Sequence, residues 1–429
     1  MKASKYNYFI PYGCKHIFFN GLTSRFFLVS DKNRERFIDI ISNPDNNGYK
    51  EKYAIFLEKM KNEGFVLDDN VDEIELVHKE FERQRHPEQY MLMILPTYQC
   101  NLRCWYCIQE HQNVNITEEM IVRIKKHIEK YLLENEIKQF RLSWFGGEPL
   151  LGYKKLTDIT LYSKKICEKY GIIFYCDITT NSLLLNPERI KELGSIGVSS
   201  FQITIDGCRE KHNQVKRNKD NTAFDMAINN IIEIVKTIPN INCTLRINYS
   251  DETLEPGRIM HDVNLLIPNE YRNKIKIAPC KIWQVKDADI PEEKVNELYS
   301  IARRKNYRIN TIVRGLCYVD YTHYNCVFPN GKIGKCDNDK LENAKGILTD
   351  TGEILWDEKY PFELHKSINE DCICYNCKHL PFCMGPCPFK RDEMIKTQGR
   401  ITCQFPDDTN KLIEKLIVRF CENNSNIGL

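Results

Sequence analysis

Cys100-Asn-Leu-Arg-Cys104-Trp-Tyr-Cys107 offers three thiols at C-x3-C-x2-C spacing, directly after the apolar, β-prone run Met91-Leu-Met-Ile-Leu-Pro-Thr97. Thiolates are the usual ligands of iron–sulfur clusters, and a cubane cluster takes four of them. Three on one short loop serve three irons and leave the fourth open to a small molecule. An open coordination position marks a metal site that does chemistry, as it does for zinc. Zinc is the other reading of this loop, because His111 lies four residues past Cys107 and a zinc site wants a fourth Cys or His.

Composition narrows the setting. A chain of 429 residues suggests two to three domains. Its 42% hydrophobic content supports ordinary cores, and 28% charged residues with a net charge of +2 give no field that argues for nucleic acid or a membrane surface. The start lacks a secretory apolar core, and no apolar run approaches the ~20 residues of a membrane span. The expectation is a soluble, cytoplasmic protein with no nucleic-acid or membrane partner. Nineteen cysteines is a high and odd count. Disulfides are rare in the reducing cytosol, so clustered thiols there favour metal or catalysis.

Outward from the loop, the chain divides by pattern into 1–87, 88–309 and 310–429. In the first part, Tyr6–Pro11, His16–Asn20 and Arg25–Val29 read as short strands. Asp31 is placed to cap a helix over Arg34–Ile41. A helix near Tyr53–Asn62 presents Phe56, Leu57 and Met60 on one face and stops at Gly64, and another spans Asp72–Gln84. From 88 to about 306, strands alternate with helices. The predicted strands are Met91–Thr97, Gln139–Trp144, Ile172–Thr179, Ser199–Ile205, Asn242–Asn248 and Lys274–Pro279. Helices such as Glu118–Leu133 and Thr222–Thr237 lie between them. This alternation predicts an α/β domain with a parallel sheet, whose sites lie at the carboxyl ends of the strands.

The cysteine loop, with Tyr106 just before its last thiol, resembles the signature of radical S-adenosylmethionine (radical SAM) enzymes, and the six units match that family's partial (β/α)6 barrel. The resemblance implies that Cys100, Cys104 and Cys107 hold a 4Fe–4S cluster whose open iron is chelated by SAM, and that SAM is cleaved to a 5′-deoxyadenosyl radical. Trp144-Phe-Gly-Gly-Glu-Pro149 ends the second strand and looks like the family's Gly-Gly-Glu motif. By carry-over, Gly146, Gly147 and Glu148 hold the amino group of SAM; a tight turn is the plain reading. Thr179-Thr-Asn-Ser-Leu-Leu184 is similar to a Thr-Asn-Gly segment, with Ser182 where glycine is commoner. Asn181 or Ser182 would then meet the ribose or carboxylate of SAM, the alternative being an Asx-type turn. Phe201-Gln-Ile-Thr-Ile-Asp-Gly207 resembles the fourth strand of peptide-modifying members. Downstream, His212 and Arg217 fit a His-Asp…Arg stretch in which Asn213 replaces the aspartate. Arg217 is the candidate for SAM's carboxylate, or else a solvated arginine in a basic run. Arg246 and Asn248 fall near the same mouth.

The last 120 residues carry a second array: Cys374-x2-Cys377-x5-Cys383-x3-Cys387, then Cys403, with Cys317, Cys326 and Cys336 ahead of it. This resembles the cysteine-rich SPASM extension of radical SAM enzymes. The resemblance implies two auxiliary 4Fe–4S clusters, one on Cys317, Cys326, Cys336 and Cys387, the other on Cys374, Cys377, Cys383 and Cys403. Three clusters in all and SAM are thus the expected cofactors. Cys326 is the most variable ligand in spacing, and Cys372 is the spare. Zinc would use the same thiols; metal binding of either kind supplies folding free energy to a loop-rich segment. Of the remaining cysteines Cys280, past the sixth strand, is the one near the mouth. Asp337 matches an aspartate that accepts a proton in sulfatase-maturating relatives, a turn role being its plain reading.

The N-terminal part, strands then helices, resembles the small winged-helix-like α+β element of peptide-modifying enzymes. Taken together, these resemblances imply a radical SAM/SPASM maturase of a ribosomally made peptide. Its partners would be a leader-bearing precursor peptide and an electron donor such as flavodoxin or ferredoxin, and its product a thioether or carbon–carbon cross-link. A sulfatase-maturating, formylglycine-forming enzyme shares the architecture, and a zinc-stabilised binding protein is the reading without chemistry.

Overall fold

The structure is a computed structural model, and it describes residues 1–109, 111–217, 220–282, 284, 292–309, 316–337, 344–357, 372–403 and 409–424. Contacts group the chain into two compact units, one of residues 1–87, 311–322 and 361–429, the other of 88–310 and 323–360. Residues 310–429, set off in sequence as one stretch, therefore contribute to both. Among the described residues no helix is long and apolar enough to cross a membrane.

In the first unit, strand β1 (Lys2–Ala3) precedes an antiparallel meander of β2 (Asn7–Tyr12), β3 (Lys15–Asn20) and β4 (Phe26–Ser30). β2, β3 and β4 each lie within a residue or two of their sequence expectation, and β1 was not expected. The following helix, Asp31–Ser42, starts earlier than predicted: Ser30 occupies the cap position and Asp31 sits in the first turn, where its charge still favours the helix N-terminus. Helix Ala54–Asn62 buries Leu57 and Met60 and ends as expected. Gly64, at φ +82°, donates to the Lys61 carbonyl at 3.0 Å, and the N–H of Phe65 donates to Met60 at 2.8 Å, the two bonds of a left-handed C-terminal cap. Strand β5 (Val66–Leu67) pairs with β1, and helix Glu73–Arg85 is capped by the Asp72 carboxylate, which accepts from the Ile74 N–H.

This sheet is not a free-standing module. Tyr8, Ile10, Ile17 and Phe19 of β2 and β3 share a core with Phe382 and with Ile413, Ile417 and Cys421 of helix Thr409–Asn424. Tyr6 and helix residues Ile74, Val77 and Phe81 pack with Cys372, Cys374, Leu380 and Met384. The Tyr8 hydroxyl lies 2.8 Å from Nδ1 of His379.

The second unit is built on one 11-stranded sheet. Strands β6 (Gln89–Ile94), β7 (Gln139–Trp144), β8 (Ile173–Thr180), β9 (Val198–Ile205), β10 (Asn242–Tyr249), β11 (Ile275–Lys281) and β12 (Arg308–Ile309) lie side by side in chain order, each parallel to the next. Consecutive parallel neighbours need a crossover, and the helices supply it. Glu118–Glu134 and Ala223–Thr237, for example, bury Ile121, Ile124, Ile128, Ile228, Ile231 and Val235 against the sheet. The α/β domain with a parallel sheet expected from the sequence is thus present. The sheet also continues beyond β6. Strand β13 (Tyr324–Val327) runs parallel to β6, and β14 (Lys332–Gly334), β15 (Gly346–Leu348) and β16 (Ile354–Trp356) follow it antiparallel.

Candidate active site

The cysteine loop leaves the carboxyl end of β6 and is pinned at its base. The N–H of Tyr98 donates to Val114 at 3.1 Å and that of Ile116 to Pro96 at 2.9 Å, while Leu95, Tyr98 and Leu102 are buried beneath it. Its inner side rests on Gly146 and Gly147 at the end of β7. The Gly147 N–H donates to the Thr97 carbonyl at 3.0 Å and the Glu148 N–H to that of Gln99 at 2.8 Å. A Cβ on Gly147 would meet the Gln99 carbonyl oxygen at 2.0 Å, and one on Gly146, at φ +118°, the Thr97 oxygen at 2.6 Å. The paired glycines therefore admit the chain's own loop to close approach.

Glu148 is buried and its carboxylate is largely engaged within the protein. Oε1 accepts from the Thr180 hydroxyl at 2.6 Å and the Leu150 N–H at 3.1 Å; Oε2 accepts from the Asn181 N–H at 2.9 Å. Burial still pushes its pKa up. Asn181 reaches back to the cysteine loop: Nδ2 donates to Asn101 Oδ1 at 2.7 Å and lies 3.7 Å from Cys100 Sγ. Ser182 is fully buried at φ +66°, a left-handed conformation that suits glycine, and its hydroxyl has no hydrogen-bond partner among the described residues.

Polar groups converge on the loop sulfurs. Besides Asn181, the Leu102 N–H points at Cys100 Sγ at 3.4 Å, and the ammonium of Lys216 lies 3.4 Å from Cys104 Sγ. Donors directed at sulfur stabilise thiolate over thiol, which metal ligation requires. Burial pushes the Cys100 thiol up to about 11. Among the described residues no three His, Cys, Asp or Glu side chains form a group placed to hold one ion. The donor set fits a negatively charged thiolate cluster on Cys100, Cys104 and Cys107.

Lys216, not Arg217, is the cation brought to this loop. Helix Arg209–Lys216 ends there, and Arg217 sits at its left-handed C-cap at φ +51°, exposed to solvent. Lys216 is buried and 3.0 Å from the Asp206 carboxylate, itself buried at the end of β9. Burial alone would raise the Asp206 pKa, but the charge of Lys216 and a bond from the Tyr106 hydroxyl hold it well below the carboxylate range. His212, predicted as part of the same stretch, backs Asp206: its Nδ1 accepts from the Asp206 N–H at 3.1 Å.

From Asp206 a hydrogen-bonded chain crosses the strand ends. The Tyr106 hydroxyl donates to Asp206 and accepts from Asn248 Nδ2 at 3.1 Å. Asn248 Oδ1 accepts from Arg246 Nε at 2.8 Å, and Arg246 Nη2 lies 3.0 Å from Cys280 Sγ on β11. The sequence-stated candidates Asn248, Arg246 and Cys280 are thereby joined to Tyr106, a residue noted only for its place before Cys107. Asp337 is half-buried in the same unit; burial raises its pKa, which the charge of Arg246 opposes.

The second cysteine array divides between the units. Cys326, in β13, and Cys336 belong to the second. Cys317, Cys374, Cys377, Cys383, Cys387 and Cys403 belong to the first. The N–H of Cys377 donates to the Cys374 carbonyl at 3.1 Å, and that of His379 to Cys377 Sγ at 3.4 Å. Cys372, the spare, is buried against Cys374, whose N–H points at its sulfur at 3.4 Å. Interaction with the Cys317 thiol, with the backbone N–H groups of Lys390 and Phe389, draws Cys387 down to about 6.

A family model described as the radical SAM superfamily matches residues 94–262. Two GTP 3′,8-cyclases of Clostridium perfringens are each 30% identical, over 197 residues (45% of this chain) and 227 residues (51%). The chain spans 55% and 66% of their lengths. Among solved structures, anSMEcpe with bound AdoMet and the Cp18Cys peptide is 17% identical with a TM-score of 0.57, covering 79% of this chain and 100% of that one. Streptococcus suis SuiB bound to precursor peptide SuiA is 16% identical with a TM-score of 0.50, covering 92% and 97%. At these identities the structures are similar in fold.

Proposed function

We propose, on the premise that residues 94–262 are a radical SAM domain, that the chain is a maturase that abstracts hydrogen from a ribosomally made peptide and installs a thioether or carbon–carbon cross-link. The observation that carries this reading is the convergence of Asn181, Lys216 and the Gly146–Glu148 turn on the three-cysteine loop. When bound to Cys100, Cys104 and Cys107, a 4Fe–4S cluster supplies the electron that cleaves SAM reductively. Lys216 takes the part that the sequence assigned to Arg217, offering a cation to the SAM carboxylate. Gly146, Gly147 and Glu148 would receive the amino group, and Ser182, with its unengaged hydroxyl, the ribose or carboxylate. The chain from Tyr106 to Cys280 lines the strand ends and fixes Arg246 there. Asp337 would accept the proton released as the bond forms. The auxiliary cysteines would hold two further clusters that take up the second electron, and a flavodoxin or ferredoxin in a reducing cytoplasm would supply the first.

The peptide half of the reading is supported by the meander β2–β4. Among the described residues β4 pairs on one side alone, and an open strand edge accepts an extended peptide through main-chain hydrogen bonds. Both anSMEcpe and SuiB are described with peptides bound. Asp337, placed beside Cys336, favours a second reading, oxidation of a protein Cys or Ser to formylglycine.

Mass spectrometry of an anaerobic reaction with reconstituted enzyme, SAM, reductant and the small peptide encoded nearest the gene tests the proposal. Loss of two hydrogens with formation of 5′-deoxyadenosine is expected. A sulfatase-motif peptide oxidised in its place supports the second reading, and no 5′-deoxyadenosine from either overturns both.

A further inference from the structure

A buried ion pair outside the SAM-binding site stands beside two of the auxiliary thiols. Asp320 closes the short turn that follows Cys317, and its N–H donates to the Cys317 carbonyl at 2.9 Å. Arg391 lies in the first turns of helix Pro388–Gln398, and its N–H donates to the Cys387 carbonyl at 2.9 Å. The two side chains meet, Arg391 Nη2 to Asp320 Oδ2, at 2.7 Å. Each member of the pair thus sits one turn after a cysteine, and the pair ties together the segments that carry Cys317 and Cys387.

The guanidinium is only partly engaged. Arg391 is 1% exposed, yet its Nε and Nη1 are buried without a hydrogen-bond partner among the described residues. Buried donors of a charged group are rarely left unpaired, and each such group calls for an explanation. One edge of the fork holds Asp320, and the helix that carries Arg391 starts from Cys387. An acceptor of negative charge held by Cys317 and Cys387 would satisfy the remaining edges. A thiolate-ligated iron–sulfur cluster is such an acceptor, and hydrogen bonds and charge near its sulfurs set its potential.

We propose that Arg391 is the cationic hydrogen-bond donor to the iron–sulfur group held by Cys317 and Cys387, raising its reduction potential, while Asp320 aims the guanidinium and partly offsets its charge. This rests on the iron–sulfur reading of the cysteine array. Arg391 is accordingly a tuning residue that acts through the iron–sulfur group.

The test is a redox titration, followed by electron paramagnetic resonance, of the full chain reconstituted anaerobically with iron and sulfide. Cys100→Ala, Cys104→Ala and Cys107→Ala are combined as background to remove the first cluster's signal. Arg391→Met lowers the potential of one remaining cluster, Asp320→Asn raises it, and Arg391→Lys stays nearer the parent. Opposite shifts are the signature, since a purely structural clamp would make both variants lose iron or move alike; either of those results, or no shift, overturns the proposal. Should Arg391→Met not fold, Asp320→Asn alone decides: a rise supports the proposal, and a fall or no change sinks it. A parent chain that binds zinc but takes up no iron and sulfide overturns the iron–sulfur reading itself, and the proposal with it.

Discussion

Lys216 Nζ lies 3.0 Å from Asp206 Oδ2, both side chains are buried, and the pair stands against the cysteine loop. Removing one partner of a buried pair leaves the other charge unpaired, at a cost of about 3 kcal/mol. Lys216→Met and Asp206→Asn are each expected to destabilise the second unit by that order in urea denaturation. Lys216→Met should also abolish SAM binding by equilibrium dialysis, and Lys216→Arg should restore part of it. Arg217→Ala, on an exposed C-cap residue, changes neither. Full SAM binding in Lys216→Met would remove Lys216 from the site.

Gly147→Ala tests how the glycine pair seats the loop. The added methyl meets the Gln99 carbonyl oxygen at 2.0 Å, backbone that cannot step aside without moving the loop. Overpacking of this kind costs about 1–3 kcal/mol. The displaced loop should show as lower iron and sulfide content after reconstitution and as loss of 5′-deoxyadenosine, with auxiliary-cluster signals retained. An unaffected iron content would mean that the loop tolerates the shift.

Much of the second unit could be read from sequence because its signals are local. Gln139–Trp144 matches its expected bounds to the residue, with Phe140, Leu142 and Trp144 alternating with polar neighbours, and the other five predicted strands match within a few residues. What escaped depends on register and angle. His212 and Lys216 are four apart and face inward together, while Arg217, one residue on, falls about 100° around the helix axis. That i, i+4 relation to His212 was the available signal, and the stronger anion affinity of arginine drew the reading away from it. Tyr324–Val327 joins the parallel sheet through a four-residue strand, too short for periodicity to announce. The Asp320–Arg391 pair spans 71 positions and has no local mark at all.

Acid sensitivity should trace in part to His127. It is buried, with Nε2 2.7 Å from the Tyr90 hydroxyl and Nδ1 2.8 Å from the Gly352 carbonyl, and burial lowers its pKa from 6.5 to about 4. Between those values the unfolded chain binds more protons than the folded one, so stability falls as pH falls. The contribution is intact above about 6.5 and drops by about 2 kcal/mol between pH 7.5 and 5. His127→Leu should be less stable at pH 7.5, having lost both bonds, and should show a correspondingly flatter decline in urea midpoints down to pH 5. A decline as steep as that of the parent would exclude His127 as the cause.

Arg246 holds the far end of the chain that begins at Asp206, with Nε on Asn248 and Nη2 3.0 Å from the half-exposed Cys280 thiol. Among the described residues its hydrogen bonds are to Asn248 and Cys280 and not to Cys100, Cys104, Lys216 or Glu148, so SAM cleavage should not depend on it directly. Its place at the carboxyl ends of β10 and β11 is where a substrate on a parallel sheet is met. Arg246→Met should therefore separate two activities. Formation of 5′-deoxyadenosine stays within a few-fold of the parent, while modified peptide falls about 100-fold, the order expected when a reacting group is misplaced by ~1 Å. The excess of deoxyadenosine over product measures that uncoupling. Equal loss of both would instead place Arg246 in the support of the SAM site, acting through Asn248 and Tyr106 on the cysteine loop.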